Sequence, residues 1–465
     1  METVLLKVSK FFKIKERKST IRTELLAGAT TFLAMAYILP VNTALLSKTG
    51  MPEGGIFFAT VIASMIAGLI MGLLANYPVA LAPGMGINAF FTYTVVMIYG
   101  FSWEAALGAV FISGVLFLIL SVSGLRKMVI NAIPQGLKYA VGAGIGFFIT
   151  FIGLQNAGIV VGFAPTLVEL GDFSHPTVLL GLFGIVLVIV LYALGNKFAL
   201  ILAILVTAVV GLILGWLGVE MMPAYEATGA TDGLFTGARE TFFAAFRGMG
   251  DLFSTPQALF VIFTFLFVDF FDTAGTLIAV GNQAGLINKD GELVEGNKAL
   301  LADSIGTVTG SLLGTSTVTS YIESSTGIEQ GGRTGLTAVT VAGLFLISLV
   351  VYPLLSVVTG VVVGFDAFGD PIIYSPVTSM ALVMVGAFMI KPLKHIDWDE
   401  VAILIPAFLT IVFMVFAFSI AEGIAVGFIF YPIIMLCTKR GKEVSPIMYG
   451  LMGFFILFFV LNAFI

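Results

Sequence analysis

Asp269 and Asp272 stand three residues apart in the run Val268-Asp269-Phe270-Phe271-Asp272-Thr273-Ala274-Gly275-Thr276, and Thr273 and Thr276 complete the spacing i, i+3, i+4, i+7. In a helix these four side chains share one face. Thr264 to Val280 is apolar on both sides of the acids, which sets them inside a hydrophobic span and not at its headgroup end. An Asp at the middle of a lipid-facing helix costs roughly 2.5–3.5 kcal/mol, so the stripe is expected to face a polar interior. Glu323 opens a second polar stripe with Thr326, Gly327 and Gln330. Glu329, beside Gln330 and Arg333, reads as half of a surface salt bridge, while Asp303 could cap or gate.

Three carboxylates converging in a low-dielectric site cannot all stay ionised cheaply, so at least one is expected to hold a proton near neutral pH. A carboxylate that must be neutral to bind a solute carries that proton along, a direct route to proton coupling. Sodium coupling would need the same acids ionised. No Lys or Arg falls within the membrane-buried part of any expected span, which leaves an anionic solute only helix N-termini for compensation. A solute rich in N–H donors fits better, with the acids accepting and Asn88 both donating and accepting. Phe90, Phe91, Phe270, Phe271 and Tyr321 could stack on a flat ring. With 43 Phe in the chain, however, packing explains any single one more simply.

Two interrupted segments would position these groups. Ala80-Leu81-Ala82-Pro83-Gly84-Met85-Gly86-Ile87-Asn88 puts a proline and two glycines at membrane depth, and Thr315-Ser316-Thr317-Val318-Thr319-Ser320 is a polar run that favours extended backbone. Each reads as an extended stretch leading into a half-helix. Unwound backbone at that depth is tolerable only where protein or a polar cavity satisfies it, and a half-helix N-terminus offers free N–H donors to a ligand. Asn88 and Glu323 occupy corresponding positions at an offset of 235.

The rest of the chain supplies a membrane setting. Of its 465 residues 59% are hydrophobic and 11% charged, against about a quarter charged in a soluble domain. Apolar runs long enough to span hydrocarbon recur throughout, without the alternation of a β-barrel. The expected spans are 24–47, 54–75, 84–99, 103–123, 133–157, 176–194, 197–218, 257–281, 299–313, 319–331, 334–358, 376–392, 400–418 and 420–438. The fold class is therefore an all-α polytopic membrane protein of about fourteen transmembrane helices, with half-helices in spans 3 and 10.

Alternating sides from a cytoplasmic N-terminus leaves only Lys48, Arg239 and Arg247 of the 22 Lys and Arg outside. That bias sets the N-terminus inside, in a cell (inner) membrane. Arg126, Lys127, Lys391, Lys394, Lys439 and Arg440 fall inside, and Glu169, Asp172, Glu220, Asp232, Asp366 and Asp370 outside. Met1 to Arg22 has no apolar stretch ahead of its basic cluster, so the N-terminus is expected to be retained. The run Met448 to Ile465 could be a fifteenth helix or lie in the interface.

The loop Gly218 to Pro256 is the longest outer connection, with an apolar piece at Thr241 to Phe246 expected to form an interfacial helix, and Asn288-Lys289-Asp290-Gly291 reads as a turn. The single cysteine, Cys437, and two loop histidines, His175 and His395, argue against an intramolecular disulfide and against a haem, zinc or iron–sulfur site. No cofactor, no metal and no nucleic-acid partner is expected, and a homodimer is left open.

Weak similarities suggest two halves: Thr31-Phe32-Leu33 recurs as Thr264-Phe265-Leu266, and Pro134 and Gly144 recur as Pro376 and Gly386. Seven spans separate equivalents, so the halves would be inverted, with the site at their interface. Gly142-xxx-Gly146 is expected at a helix–helix contact or a dimer interface.

At the site residues the chain resembles the AzgA-like purine-permease branch of the nucleobase–cation symporters. The resemblance runs from Arg22 to Lys439 and is carried by Ala82-Pro83-Gly84-Met85-Gly86-Ile87-Asn88-Ala89-Phe90-Phe91, Asp269 to Thr276, and Thr315-Ser316-Thr317-Val318-Thr319-Ser320-Tyr321-Ile322-Glu323-Ser324. It implies seven-plus-seven inverted repeats, with a core domain at 22–124 and 257–360 and a gate domain at 125–256 and 361–438. A basic cytoplasmic segment, 1–21, would precede them and a tail, 439–465, follow. It also implies proton symport of adenine, guanine or hypoxanthine, and not an enzyme.

The family's substrate positions fall on Asn88, Asp269, Asp272 and Glu323, with Gly86, Phe90, Tyr321 and Thr276 beside them, and proton coupling is shared among the three acids. Thr276 stands where some members carry His. The rival readings are a uracil or xanthine symporter, or an anion transporter of the same fold. An intramembrane enzyme lacks any Ser–His pair, metal motif or phosphate loop in the spans.

Overall fold

A computed structural model describes residues 2–123, 132–224, 230–288, 293–357, 360–365 and 371–462. Arg126, Lys127, the turn residues Lys289 to Gly291, and Asp366 and Asp370 lie outside the described residues. The chain is mostly helical, and nine helices among the described residues are long and apolar enough to cross a membrane.

The first half opens with α1 (Glu2–Phe11), α2 (Ile21–Met35), α3 (Ile38–Leu46) and α4 (Glu53–Ile70), the last continued by a π-helical turn, Met71–Ala75. Strand β1 (Leu81–Pro83), α5 (Met85–Ala89, continued as π-helix over Phe90–Ile98) and α6 (Trp103–Ser123) follow. Then come α7 (Gln135–Asn156), a hairpin of β2 (Val160–Phe163) and β3 (Leu167–Leu170), α8 (Pro176–Ala193) and α9 (Ala199–Trp216). Three short helices, α10 (Ala230–Thr241), α11 (Ala244–Arg247) and α12 (Met249–Leu252), cross to the second half.

That half contains α13 (Gln257–Gln283), α14 (Gly296–Leu313), β4 (Val318–Ser320), α15 (Ser324–Glu329) and α16 (Gly335–Ile347, tightened to 3₁₀ over Ser348–Val357). It ends with a hairpin of β5 (Val361–Phe365) and β6 (Pro371–Tyr374), then α17 (Ser379–Met389), α18 (Val401–Phe416), α19 (Ile420–Cys437) and α20 (Pro446–Asn462).

Two packing groups emerge. Helices α2, α4, α6, α13, α14 and α16 pack on one another, while α7 packs on α17 and α18, α8 on α9, and α18 on α19. Within the second group Gly146 of α7 meets Gly386 of α17: a Cβ on Gly146 would stand 2.7 Å from the Gly386 carbonyl oxygen. Only a residue without a side chain permits that approach. The contact is within the chain, and Gly142 faces no atom within 4 Å, so the expected two-glycine motif acts through one glycine.

The first span runs from Ile21 to Thr49 and tightens locally at Ala36 and Tyr37, where Pro40 has no N–H for the Ala36 carbonyl and the Leu39 N–H reaches it instead at 3.2 Å. One expectation is corrected. The helical part of the outer connection begins at Ala230, upstream of Thr241, where Gly233 of α10 lies against Gly54 of α4, a Cβ on Gly54 standing 2.1 Å from the Gly233 carbonyl oxygen. These helices pack on α4 and α6 and so lie against the first group. The apolar run after Met448 is the helix α20, whose Phe454 and Phe458 rings sit 4.5 and 4.4 Å from that of Phe260 on α13.

Candidate functional site

The two interrupted segments meet as a two-stranded antiparallel pair, with Leu81 opposite Ser320, Ala82 opposite Thr319 and Pro83 opposite Val318. The ladder is extended at both ends, by Gly84 N–H to the Thr317 carbonyl at 3.0 Å and by Tyr321 N–H to the Ala80 carbonyl at 2.9 Å. Extended backbone has donors and acceptors that no helix satisfies, and at membrane depth these two stretches satisfy each other. Pro83 donates nothing, yet its carbonyl accepts from the Tyr321 hydroxyl at 2.5 Å. A short helix leaves each strand, α5 from β1 and α15 from β4.

Around the strand pair the buried polar groups form two connected sets. In the first, Thr307 of α14 donates to Asp269 Oδ2 at 2.8 Å and accepts from the Val318 N–H at 3.2 Å. Thr273 donates to Asp303 Oδ2 at 2.7 Å, and Ser320 to Asp303 Oδ1 at 2.9 Å. Asp269 and Asp303 are both buried, and Asp269 Oδ1 has no hydrogen-bond partner among the described residues. Asp303, left without a role by sequence reading, thus joins α14 to β4 and to the acidic face of α13. Its signal was available: an acid in mid-span with a threonine at i+4.

The second set includes Asn88, which gives its amide N–H to Asn42 Oδ1 at 2.5 Å and accepts from the Ser316 hydroxyl. Asn42 in turn donates to Thr60 at 2.7 Å and to Thr315 at 3.0 Å. Asn88 is fully buried, so in this arrangement it ties α5 to α3 and to the start of β4. Asn42 lies in an otherwise apolar stretch of the first span and was not singled out in the sequence.

Asp272 and Glu323 differ from the other acids. Both are half-buried. Asp272 has no hydrogen-bond partner among the described residues. Glu323 precedes α15 and is not inside it, a correction to its expected helical position, and its carboxylate does not cap that helix. Its Oε1 accepts from the Tyr37 hydroxyl at 2.5 Å, Tyr37 lying at the tightened turn of the first span. These two half-buried acids therefore keep acceptor oxygens for a ligand, whereas Asp303 has both oxygens on hydroxyls and Asp269 is fully buried with one.

The other candidates are placed as follows. Thr276 is half-buried one turn beyond Asp272. Gly86 lets α5 approach α7, since a Cβ there would stand 2.5 Å from Ile145 Cγ2. Phe90 is buried with its ring 5.0 Å from that of Phe265, and Phe270 pairs with Phe117 at 5.5 Å, so these rings pack on neighbours. Tyr321 is buried with its hydroxyl on Pro83.

Lys138, in the first turn of α7, is half-buried with Nζ 5.8 Å from the centre of the Phe271 ring, next to Asp272 in sequence. Glu329 does form a surface salt bridge, but with Lys197 at 2.9 Å and not with Arg333. Glu24 was also missed. It is buried and accepts from the Arg333 and Thr334 N–H groups and the Thr337 hydroxyl, closing the N-terminus of α16.

The sequence matches the model of the Permease family (Xan_ur_permease) over residues 22–426. The guanine/hypoxanthine permease PbuG of Bacillus subtilis is 48% identical over 97% of this chain and 99% of its own length. The adenine permease AdeP of Escherichia coli is 39% identical over 94% and 93%, and the nucleobase transporter PlAzg2 of Paenibacillus larvae 33% over 88% and 76%. Among solved structures, the transmembrane domain of the cyanobacterial bicarbonate transporter BicA superposes with a TM-score of 0.59 at 16% identity, over 87% of this chain and 97% of that one. Murine Solute Carrier 26 family member A9 gives 0.58 at 11%, over 93% and 72%. The chain belongs to the Xan_ur_permease family: it is a multi-pass membrane transport protein and not an enzyme.

Proposed function

We propose that this permease imports purine nucleobases by proton symport, binding the base between the strand pair and α13. The observation that carries the reading is the pair Asp272 and Glu323, two acceptor carboxylates left open beside a self-satisfied backbone crossing. Purines present ring and exocyclic N–H donors that such acids accept. The names of the relatives, which speak of guanine, hypoxanthine and adenine, support the same substrate class. The solved neighbours include anion transporters, but that likeness concerns the fold alone, and acids without an adjacent guanidinium do not suit an anion.

In this mechanism Asp272 and Glu323 hold the base, and the buried pair Asp269 and Asp303 takes up the coupled proton. The core is 22–124 with 257–360 and the gate 125–256 with 361–438, except that α10 to α12, which pack on α4 and α6, are assigned to the core. The full architecture is about fourteen spans as an inverted repeat, consistent with the antiparallel meeting of β1 and β4. The N-terminus is cytoplasmic in the inner membrane. A cysteine placed at Lys394, in a Cys437→Ser background, should resist impermeant reagent from outside, and one at Thr231 should react. The reverse pattern would overturn the orientation.

The substrate is tested by competing labelled hypoxanthine uptake with adenine, guanine, xanthine and uracil in a strain lacking its own permeases. Competition by purines and not by uracil is expected. Competition by uracil alone would overturn the purine assignment.

A further inference from the structure

Tyr37 is buried, sits at the tightened turn of the first span, and spends its hydroxyl on one oxygen of Glu323 at 2.5 Å. A buried phenol needs a partner, and that need alone would be met by any carbonyl of the neighbouring helices. Two features point to something more particular. The first is the local tightening there: Pro40 has no N–H for the Ala36 carbonyl, which accepts from Leu39 at 3.2 Å instead, so the turn that carries Tyr37 departs from the regular α-helical ladder. The second is the state of Glu323, which stands ahead of a six-residue helix without capping it. Apart from Tyr37, no side chain among the described residues hydrogen-bonds this carboxylate.

An acid on a short segment with one rotamer fixed by one hydroxyl presents its other oxygen in a defined direction. Without that hydroxyl it has several rotamers, and part of the binding free energy would go into ordering it. We propose that Tyr37 is the positioning residue for Glu323, holding Oε1 so that Oε2 is directed at the N–H edge of the nucleobase. This rests on the reading of Glu323 as a substrate ligand. Tyr37 acts through Glu323 and does not itself touch the base.

A double-mutant cycle separates the two ideas. Hypoxanthine binding and pH-dependent uptake are measured in reconstituted wild-type protein and in Tyr37→Phe, Glu323→Gln and the double variant. Losing a charge-assisted hydrogen bond is expected to weaken binding about tenfold to a hundredfold, so each single variant should bind at least about tenfold more weakly, and the double no more weakly than Glu323→Gln alone. Tyr37→Phe should also shift the pH profile of uptake, and the double variant should share the profile of Glu323→Gln.

If Glu323→Gln bound like wild type, the substrate site itself would be misassigned and the proposal with it. If Glu323→Gln were impaired while Tyr37→Phe was not, or while the two effects multiplied, only the positioning role would fall. Should Tyr37→Phe fail to reach the membrane, difluorotyrosine at position 37 keeps ring and hydroxyl but is a stronger donor. A shifted uptake profile supports the role, and an unchanged profile in the folded variant overturns it.

Discussion

Lys48 donates to Asn156 Oδ1 at 2.6 Å, joining the end of α3 to the end of α7. The first packs on α4 of one packing group and the second belongs to the other, and the contact lies on the face proposed as external. Tyr93 lies beside it, with its hydroxyl 3.3 Å from Asn156 Oδ1. The Tyr93 ring also meets Phe418, which packs on Phe148 and Phe151 of α7. Phe418 has φ 52°, a left-handed conformation that a bulky residue holds only where its surroundings enforce it. The two packing groups thus meet here through one ammonium contact and one aromatic residue with a left-handed backbone, which would be the outer seam of the proposed core and gate.

That seam should control which way the site opens. Lys48→Met removes the cation while preserving most of the stem, so the outward-open population should rise. The check is the rate at which a cysteine at Thr92, buried beneath the seam, reacts with an impermeant reagent from outside: several-fold faster in Lys48→Met is expected. An unchanged rate would mean that Lys48 is not part of the closure.

The acids should divide by their partners. Asp272→Asn and Glu323→Gln remove open acceptors and place an NH₂ group against a substrate donor, so binding should fall about ten- to a hundredfold. Asp269→Asn and Asp303→Asn alter a buried set held by Thr307, Thr273 and Ser320. They should largely spare binding but abolish accumulation driven by an imposed pH gradient. Binding and gradient-driven uptake in vesicles distinguish the two classes, and wild-type behaviour of all four would sink the mechanism.

Much of this site was legible in the sequence because membranes make polar residues conspicuous. Asp269, Asp272 and Glu323 stood out against apolar surroundings, and the Pro-Gly and Thr-Ser runs announced the extended stretches that pair as β1 and β4. What sequence could not supply was commitment. Asn88 looks as available as Asp272 until the Ser316 hydroxyl and Asn42 are seen to occupy it, and Asp269 until its burial and its bond to Thr307 are seen. Tyr37 and Asn42 were hidden for another reason: a lone tyrosine or asparagine in an apolar span has a local explanation, and their partners lie 286 and 273 residues away.

Gly146 makes a sharper test of packing than of transport. A Leu there would drive into the Gly386 carbonyl and the Met389 side chain, and overpacking of this kind costs about 1–3 kcal/mol. Gly146→Leu should lower thermal stability in detergent and impair uptake, with the oligomeric state unchanged because the contact is within one chain. Gly142→Leu, facing open space, should be far milder. Equal effects of the two would refute the assigned contact.

Arg440 joins two stretches of the proposed cytoplasmic face, donating to Glu400 at 3.0 Å and to Glu443 at 2.9 Å. The hydrogen bond from Arg440 is the main reason the Glu443 carboxyl lies below its ordinary value of 4.5. The sign follows by linkage. A group depressed in the folded state contributes stability that is fully present above its unfolded value and is lost as pH falls through its folded value. Arg440→Gln should therefore lower the thermal midpoint at neutral pH, and its deficit relative to wild type should shrink as both proteins are taken below the carboxylate range. Because the partners are exposed, added salt should also narrow the gap. A deficit that stayed constant from neutral to acid pH would show that Arg440 acts by packing its stem and not through these carboxylates.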